Sequence, residues 1–232
     1  MKKTIINLFG SMAQLFFPKL CVGCRGVLQP YEKTLCLKCE LGLPLCYFTP
    51  HKTNIMHQRL SAHIPVEYTT ALFLFYPKGI IEQLIHQLKY NGQRAIGVLF
   101  GDWMADQLSD SFFEKCTAVI PMPLHQKRQR KRGYNQVEGF AKQIADKLAI
   151  PVCNHVVWRK KNTRQLAQGK VQNRWEELAD AFALNPNHNF TNQHWLLVDD
   201  VMTTGASLCA CAKALLEIRG SKVSIVTIAY RV

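Results

Sequence analysis

The chain has 232 residues, a formal net charge of +13 and 48% hydrophobic residues. That suffices for one α/β domain with a small appendage and argues against wholesale disorder. The charge excludes indifference to polyanions: nucleic acid, anionic lipid and phosphorylated ligands are the partners it favours.

The first residues, "MKKTIINLFGSMAQLFF", pair two lysines with an apolar run, as a secretory signal does. Asn7, Ser11 and Gln14 interrupt the run, and no small-x-small cleavage site precedes Pro18. Ile5, Leu8, Phe9, Met12, Leu15 and Phe16 keep helical spacing, which predicts an amphipathic docking helix. No stretch is apolar enough for a membrane span. Next come Cys21-Val-Gly-Cys24 and Cys36-Leu-Lys-Cys39. Each CxxC knuckle points two thiolates at one ion, and two knuckles complete the tetrahedral thiolate set that structural zinc prefers. Redox use of either pair would need a strand–helix context that is missing here. Cys46, His51 and His57 lie nearby as lesser alternates. The nine cysteines are an odd number for a disulfide scaffold and suit a reducing cytoplasm. The polar stretch "TPHKTNIMHQRLSAH" reads as a linker or irregular segment, which sets residues 1–60 as a first unit and 61–232 as a second.

From Thr69 the pattern alternates. "TTALFLFY" predicts a strand; Ile80, Ile81, Leu84, Ile85 and Leu88 predict a helix, and residues 95–109 a second. "TAVIPM" is a short buried strand. "HQKRQRKRGYNQ" is a charge run whose plain reading is a solvated face. Residues 135–149 predict a helix with Asn135 as N-cap and Glu138 in a capping box. "NHVVWR" and "HWLLVDD" are further strands, 206–219 is a helix stopped by Gly220, and "KVSIVTIAY" is a closing strand. Apolar runs separated by helices indicate a largely parallel sheet covered on both faces. A second basic group, Arg159, Lys160, Lys161, Arg164, Lys170 and Arg174, opens the last third.

The stretch "LLVDDVMTTGAS" carries the chemistry. A buried strand ends in Asp199 and Asp200 at the carboxyl edge of the sheet, where open α/β folds bind ligands. Thr203, Thr204, Gly205, Ala206 and Ser207 lead into a helix; N–H groups at such a start, with hydroxyls and a glycine, suit a phosphate. The aspartates would repel that phosphate but suit ribose hydroxyls or a hydrated Mg²⁺. One ligand satisfies both halves: a 5-phosphorylated sugar with free 2- and 3-hydroxyls. A Walker B strand would need GxxxxGK[ST], and a dinucleotide fold GxGxxG; both are absent from the chain.

This stretch resembles the signature of type I phosphoribosyltransferases, which bind phosphoribosyl pyrophosphate (PRPP). With the double CxxC, "HQLKYNGQ", "IPMPLHQKRQRKRGYNQ" and "NTRQLAQGKVQNR", the chain resembles the ComF (GntX-like) family of competence-associated proteins. The resemblance implies a five-stranded parallel phosphoribosyltransferase-like core, a zinc-ribbon-like N-terminal unit and a cytoplasmic role in natural transformation. It implies that Asp199 and Asp200 hold the ribose hydroxyls, Thr203 to Ser207 the 5-phosphate, and "PMPL" the pyrophosphate side, with Mg²⁺ accompanying PRPP. Lys89, Arg132 and Arg174 are the candidates to face pyrophosphate or a nucleic-acid phosphate. Three roles stay open: displacement of pyrophosphate at the anomeric carbon by a nucleobase or amine; single-stranded DNA binding, with Tyr134 and Trp175 either stacking on bases or packing in the core; and an adaptor for a helicase or recombination mediator at the inner membrane face.

Overall fold

Residues that alternate or run apolar over three to ten positions become strands here, and most of the stretches between them become helices that cover the sheet. The computed structural model describes residues 18–48, 54–108, 112–160, 178, 180–187 and 189–232. In chain order these form α1 (Leu37–Leu41), α2 (Ile55–Ser61), β1 (Thr69–Phe75), α3 (Ile80–Tyr90), α4 (Arg94–Leu108), a 3₁₀ turn (Phe112–Lys115), β2 (Ala118–Pro121), α5 (Gln126–Arg132), α6 (Glu138–Leu148), β3 (Val157–Arg159), β4 (Phe182–Leu184), β5 (His194–Met202), α7 (Ala206–Leu216) and β6 (Lys222–Arg231). The N-terminal amphipathic segment, His51, Arg174, Trp175 and the rest of the second basic group beyond Lys160 lie outside the described residues.

The main sheet has the order β1-β6-β5-β2, and every pair is parallel. The five-stranded expectation is corrected: beyond β2 there is a lone parallel bridge from Val119 to Val152. Val119 N–H donates to Pro151 O at 2.9 Å, and Cys153 N–H donates to Val119 O at 2.8 Å. Pro151 has no N–H to extend that ladder. The strand predicted in "NHVVWR" joins a separate antiparallel pair, β3 with β4, outside the parallel sheet.

Two apolar layers sandwich the sheet. Leu197, Trp195 and Ile225 face α2, α7 and the β3–β4 pair. Leu196, Val198 and Val226 face α3, α4, α6 and the cysteine unit. The stretch read as a linker is corrected in part: Asn54 caps α2 by accepting from His57 N–H at 2.8 Å, and Met56 and Leu60 are fully buried. Their i, i+4 spacing was present in the sequence, hidden among polar residues. Leu45 also bridges Phe73 at the edge of β1.

Two helix boundaries shift, and one further helix appears. The helix expected from residue 135 starts at Glu138, where no side chain caps it; Asn135 instead accepts from Val137 N–H at 3.3 Å in the preceding turn. The helix after the aspartate loop ends at Leu216, and Gly220 takes a left-handed φ of 71° in the turn beyond. The charge run at residues 126–132 is a helix without a buried residue, closed by Gly133 at φ 80°.

Candidate functional site

Strand β5 runs two residues past the expected stop. Asp199 pairs in register with Thr227 and Met202 with Tyr230, so both aspartates belong to the strand itself. Its parallel neighbours β2 and β6 end beside it. The "PMPL" segment, residues 121–124, therefore leaves β2 next to the aspartates: Met122 N–H donates to Val198 O at 2.8 Å before the chain enters basic α5.

Gly205 then occupies the N-cap of α7 at φ 84°, the left-handed region that glycine tolerates best. A Cβ there would lie 3.0 Å from both Leu60 Cδ2 and Met202 Cε. Thr204 Oγ1 accepts from Ala206 N–H at 3.4 Å, which tightens the turn. Thr203, Thr204 and Ser207 are half-buried, while Gly205 and Ala206 are buried. Arg59 of α2 donates from its Nη1 to Thr203 O at 3.2 Å and lies over the Tyr230 ring at 5.3 Å.

The carboxyl end of the site is a polar network. Asp200 is buried, and both its oxygens accept: Oδ1 from Lys89 Nζ at 2.7 Å, Oδ2 from Gln136 Nε2 at 2.5 Å. Arg132 donates in turn to Gln136 Oε1 and lies over the Tyr90 ring. The structure thus brings Lys89 and Arg132 to the aspartates, Lys89 directly and Arg132 through Gln136. Asp199 is half-buried, and its Oδ1 accepts from Asp200 N–H at 2.8 Å. Loss of hydration, reinforced by the neighbouring Asp200 carboxylate, pushes the Asp199 carboxyl up to about 7; the Asp200 N–H, Lys89 and Arg159 pull the other way. Arg159, at the end of β3, sits under the influence of both Arg128 and Asp199. Burial first, then Arg128, lower its affinity for its proton, and Asp199 opposes them.

Gln136, Arg159 and Arg59 are the contributors that sequence reasoning did not single out. Gln136 had no helical signal, since Gly133 ends the helix of Arg132 and the next helix begins only at Glu138. Arg159 stood in a basic group with nothing to mark it. Arg59 is 144 positions from the loop it holds, and no local pattern announces that. One aromatic expectation is resolved in favour of packing: Tyr134 is buried, its hydroxyl donates to Leu88 O, and Arg94 covers its ring at 4.3 Å. It has no free face for a base.

The second candidate centre is the cysteine cluster. The Sγ atoms of Cys21, Cys24, Cys36 and Cys39 lie within 4.8 Å of one another, and Cys24 and Cys36 are 3.6 Å apart. Four thiolates at about 2.3 Å from one tetrahedral ion would be spaced by about 3.8 Å. The nine cysteines are all free thiols. Gly23 and Cys36 N–H groups each donate to Cys21 Sγ at 3.3 Å. Burial opposes the Cys21 thiolate, yet the N–H groups of Cys24, Cys36 and Gly23 outweigh it and bring the thiol down to about 7. Gly23 admits no side chain, because a Cβ would sit 2.9 Å from Cys39 Sγ. The set can hold a metal ion, and its donors fit a soft, tetrahedral one. Of the alternates, His57 is buried and bonded through Nε2 to Val66 O at 3.2 Å, and Cys46 is buried against the α7 face of the sheet.

Known proteins give the same outline. The phosphoribosyl transferase domain family matches residues 138–232. Competence protein F of Haemophilus influenzae is 28% identical over 226 residues, covering 90% of this chain and 96% of that protein. Competence protein ComFC of Bacillus subtilis is 24% identical, covering 89% and 81%. The DNA utilization protein YhgH of Escherichia coli is 25% identical, covering 80% and 79%. Among solved structures, an adenine phosphoribosyl transferase from Trypanosoma brucei aligns with a TM-score of 0.40 at 11% identity, over 81% of this chain and 86% of that one. The competence-protein relatives run along nearly the whole chain, beyond the segment that matches the phosphoribosyl transferase domain, so the chain is similar throughout its length to ComF-type competence proteins and carries a phosphoribosyltransferase-like segment at residues 138–232.

Proposed function

We propose that this protein binds PRPP at the carboxyl end of β5 and acts in competence and DNA utilization, the roles in which its relatives are named. One observation carries the reading: β5 delivers two carboxylates directly to a left-handed glycine turn that opens α7. Carboxylates accept from ribose hydroxyls, and N–H groups at a helix start receive a phosphate. Lys89, Arg132 and Arg159 supply the cations a pyrophosphate needs, and Mg²⁺ would travel with PRPP. Zn²⁺ fits the four thiolates as a structural ion, since four protein ligands leave no position for substrate.

The test is calorimetric titration of Mg²⁺·PRPP into the purified protein and into an Asp199→Asn/Asp200→Asn variant. Saturable binding that the variant loses supports the site. A folded, metal-loaded wild type that binds nothing refutes it. Pyrophosphate release with candidate nucleobases or amines then separates turnover from binding alone.

A second reading, single-stranded DNA binding, has its own support. Helix α5 presents Lys127, Arg128, Arg130, Lys131 and Arg132 with no buried residue. A DNA role predicts affinity that falls steeply with salt, and a flat dependence counts against it. Work in the cytoplasm beside a helicase or recombination mediator belongs to this same reading. Among the described residues no helix is long and apolar enough to cross a membrane.

A further inference from the structure

The last turn of α3 is held from two sides. Successive helix residues advance about 100° around the axis, so Gln87 and Lys89 point to opposite sides of α3. Lys89 Nζ donates to Asp200 Oδ1 at 2.7 Å, at the carboxyl end of β5. Gln87 Nε2 donates to Val22 O at 2.9 Å, 65 positions back in the chain. Val22 lies inside the first cysteine knuckle, between Cys21 and Cys24. One helical turn therefore carries a bond to the cysteine unit on one side and a bond to the candidate ligand site on the other.

The direction of the Val22 carbonyl depends on the knuckle. Arg25 N–H donates to Cys21 O at 2.9 Å and closes the turn, while Val22 N–H donates to Thr34 O at 3.0 Å and ties it to the second arm. A metal ion on the four thiolates would fix Cys21 and Cys24 at the two ends of that turn and hold the arms together. Without it, thiolates within 4.8 Å of one another repel unless they take protons. Cys21, Leu35 and Cys39 share an apolar cluster with Ile81, Leu84 and Leu88, so a loosened knuckle is felt along α3. Gln87 adds a directional polar contact at the turn that bears Lys89.

We propose that metal occupancy of the cysteine unit is coupled to ligand affinity at the carboxyl end of β5, and that Gln87 is the positioning residue that carries the coupling to Lys89. This rests on the PRPP reading above. With the metal bound, the Val22 carbonyl holds Gln87, the last turn of α3 stays formed, and Lys89 stays beside Asp200, where pyrophosphate would meet it. With the metal lost, Gln87 loses its acceptor and the end of α3 is free to fray. The substitution Gln87→Leu isolates this contact. Among the described residues Gln87 Oε1 is buried with no partner, so the variant gives up one bond but also removes an orphaned acceptor.

The probe is inorganic pyrophosphate, titrated calorimetrically with Mg²⁺ into zinc-loaded protein and into protein stripped by a chelator that is then removed. Wild type and Gln87→Leu are compared below the melting range of both forms. Stripping is expected to weaken pyrophosphate by about fivefold or more in wild type and by less than about twofold in Gln87→Leu, and the loaded variant is expected to match stripped wild type. A merely structural Gln87 would move Tm and leave the loaded variant's affinity alone. Equal affinity in loaded and stripped wild type would overturn the proposal, as would equal losses on stripping in both proteins. Should stripped protein fail to fold, the loaded pair decides: Gln87→Leu with a full complement of metal and undiminished pyrophosphate affinity overturns the coupling. A loaded wild type that binds neither pyrophosphate nor PRPP refutes the PRPP reading, and hydrogen exchange then judges the coupling by itself. The Asn91 N–H, bonded to Gln87 O at 3.0 Å, should exchange about fivefold faster or more on stripping in wild type and no faster in Gln87→Leu; equal acceleration in both overturns it.

Discussion

Replacing Asp199 by Asn should stabilise the protein increasingly as pH rises above about 4, with the full gain reached above about pH 7. The carboxyl is pushed from its ordinary 3.8 up to about 7, chiefly by burial and then by Asp200. A raised carboxyl means that the fold prefers the protonated form. Its contribution to stability is therefore complete below about 3.8 and is lost as pH rises through about 7. A shift of about three pH units at about 1.4 kcal/mol each caps the loss near 4 kcal/mol. Asp199 keeps some solvent contact, which screens its charge, so about 2 kcal/mol is the reasonable figure. Asparagine retains Oδ1 as acceptor for the Asp200 N–H and carries no charge at any pH. Thermal melts of wild type and variant from pH 4 to pH 8 measure the difference. It should be near zero at pH 4 and grow to about 2 kcal/mol by pH 8, raising Tm by about 4–8 °C. A constant offset across the range, or a variant less stable at pH 8, would refute the reasoning. The stabilised variant should also have lost ribose binding, because a binding carboxylate held in a poorly hydrated place costs stability.

Two further outcomes follow from the geometry. Metal analysis should find about one zinc per chain, and Cys36→Ser or chelation should lower Tm by several degrees, because metal binding contributes directly to folding and Cys21, Cys39 and Leu35 share one apolar cluster with Phe73 and α3; an unchanged Tm after metal removal would sink the structural role. Gly205→Ala should destabilise by about 1 kcal/mol, the net of about 1–2 for a left-handed alanine against about 0.4–1 returned by a stiffer unfolded chain, whereas Gly133→Ala, at φ 80° with nothing within 4 Å of a new Cβ, should cost less; melts that rank the two the other way would contradict the crowding by Leu60 and Met202.

What was legible in the sequence is what local pattern determines. "TTALFLF" and "KVSIVTIAY" are long apolar runs, and each became a parallel strand. The CxxC spacing brings its own thiolates together, because eleven intervening residues suffice to turn back on the first knuckle. The misread parts depend on what lies opposite. Helix α5 buries nothing, so no apolar stripe marks it. Helix α2 is short, and two buried apolar side chains among polar neighbours look like a linker until the α7 face is there to receive them. Strand β3 has the composition of a core strand, but it pairs with β4, while Val152 bridges to Val119 at the edge of β2.

The aspartate pair shows the same limit at the scale of one bond. In sequence, Asp199 and Asp200 form a single acidic motif, and adjacency suggests a shared task. Once β5 continues through both, its two-residue period separates them, and distant chain segments settle their environments. Lys89 is 111 positions from Asp200 and Gln136 is 64. Neither separation carries a periodic signal, so the sequence could reveal that the cations exist but not which carboxylate they neutralise. The pairing also explains how a chain of net charge +13 keeps a buried acid beside a half-buried one: Lys89 and Gln136 satisfy the deeper carboxylate, and the shallower one bears the electrostatic strain that a ribose diol would relieve.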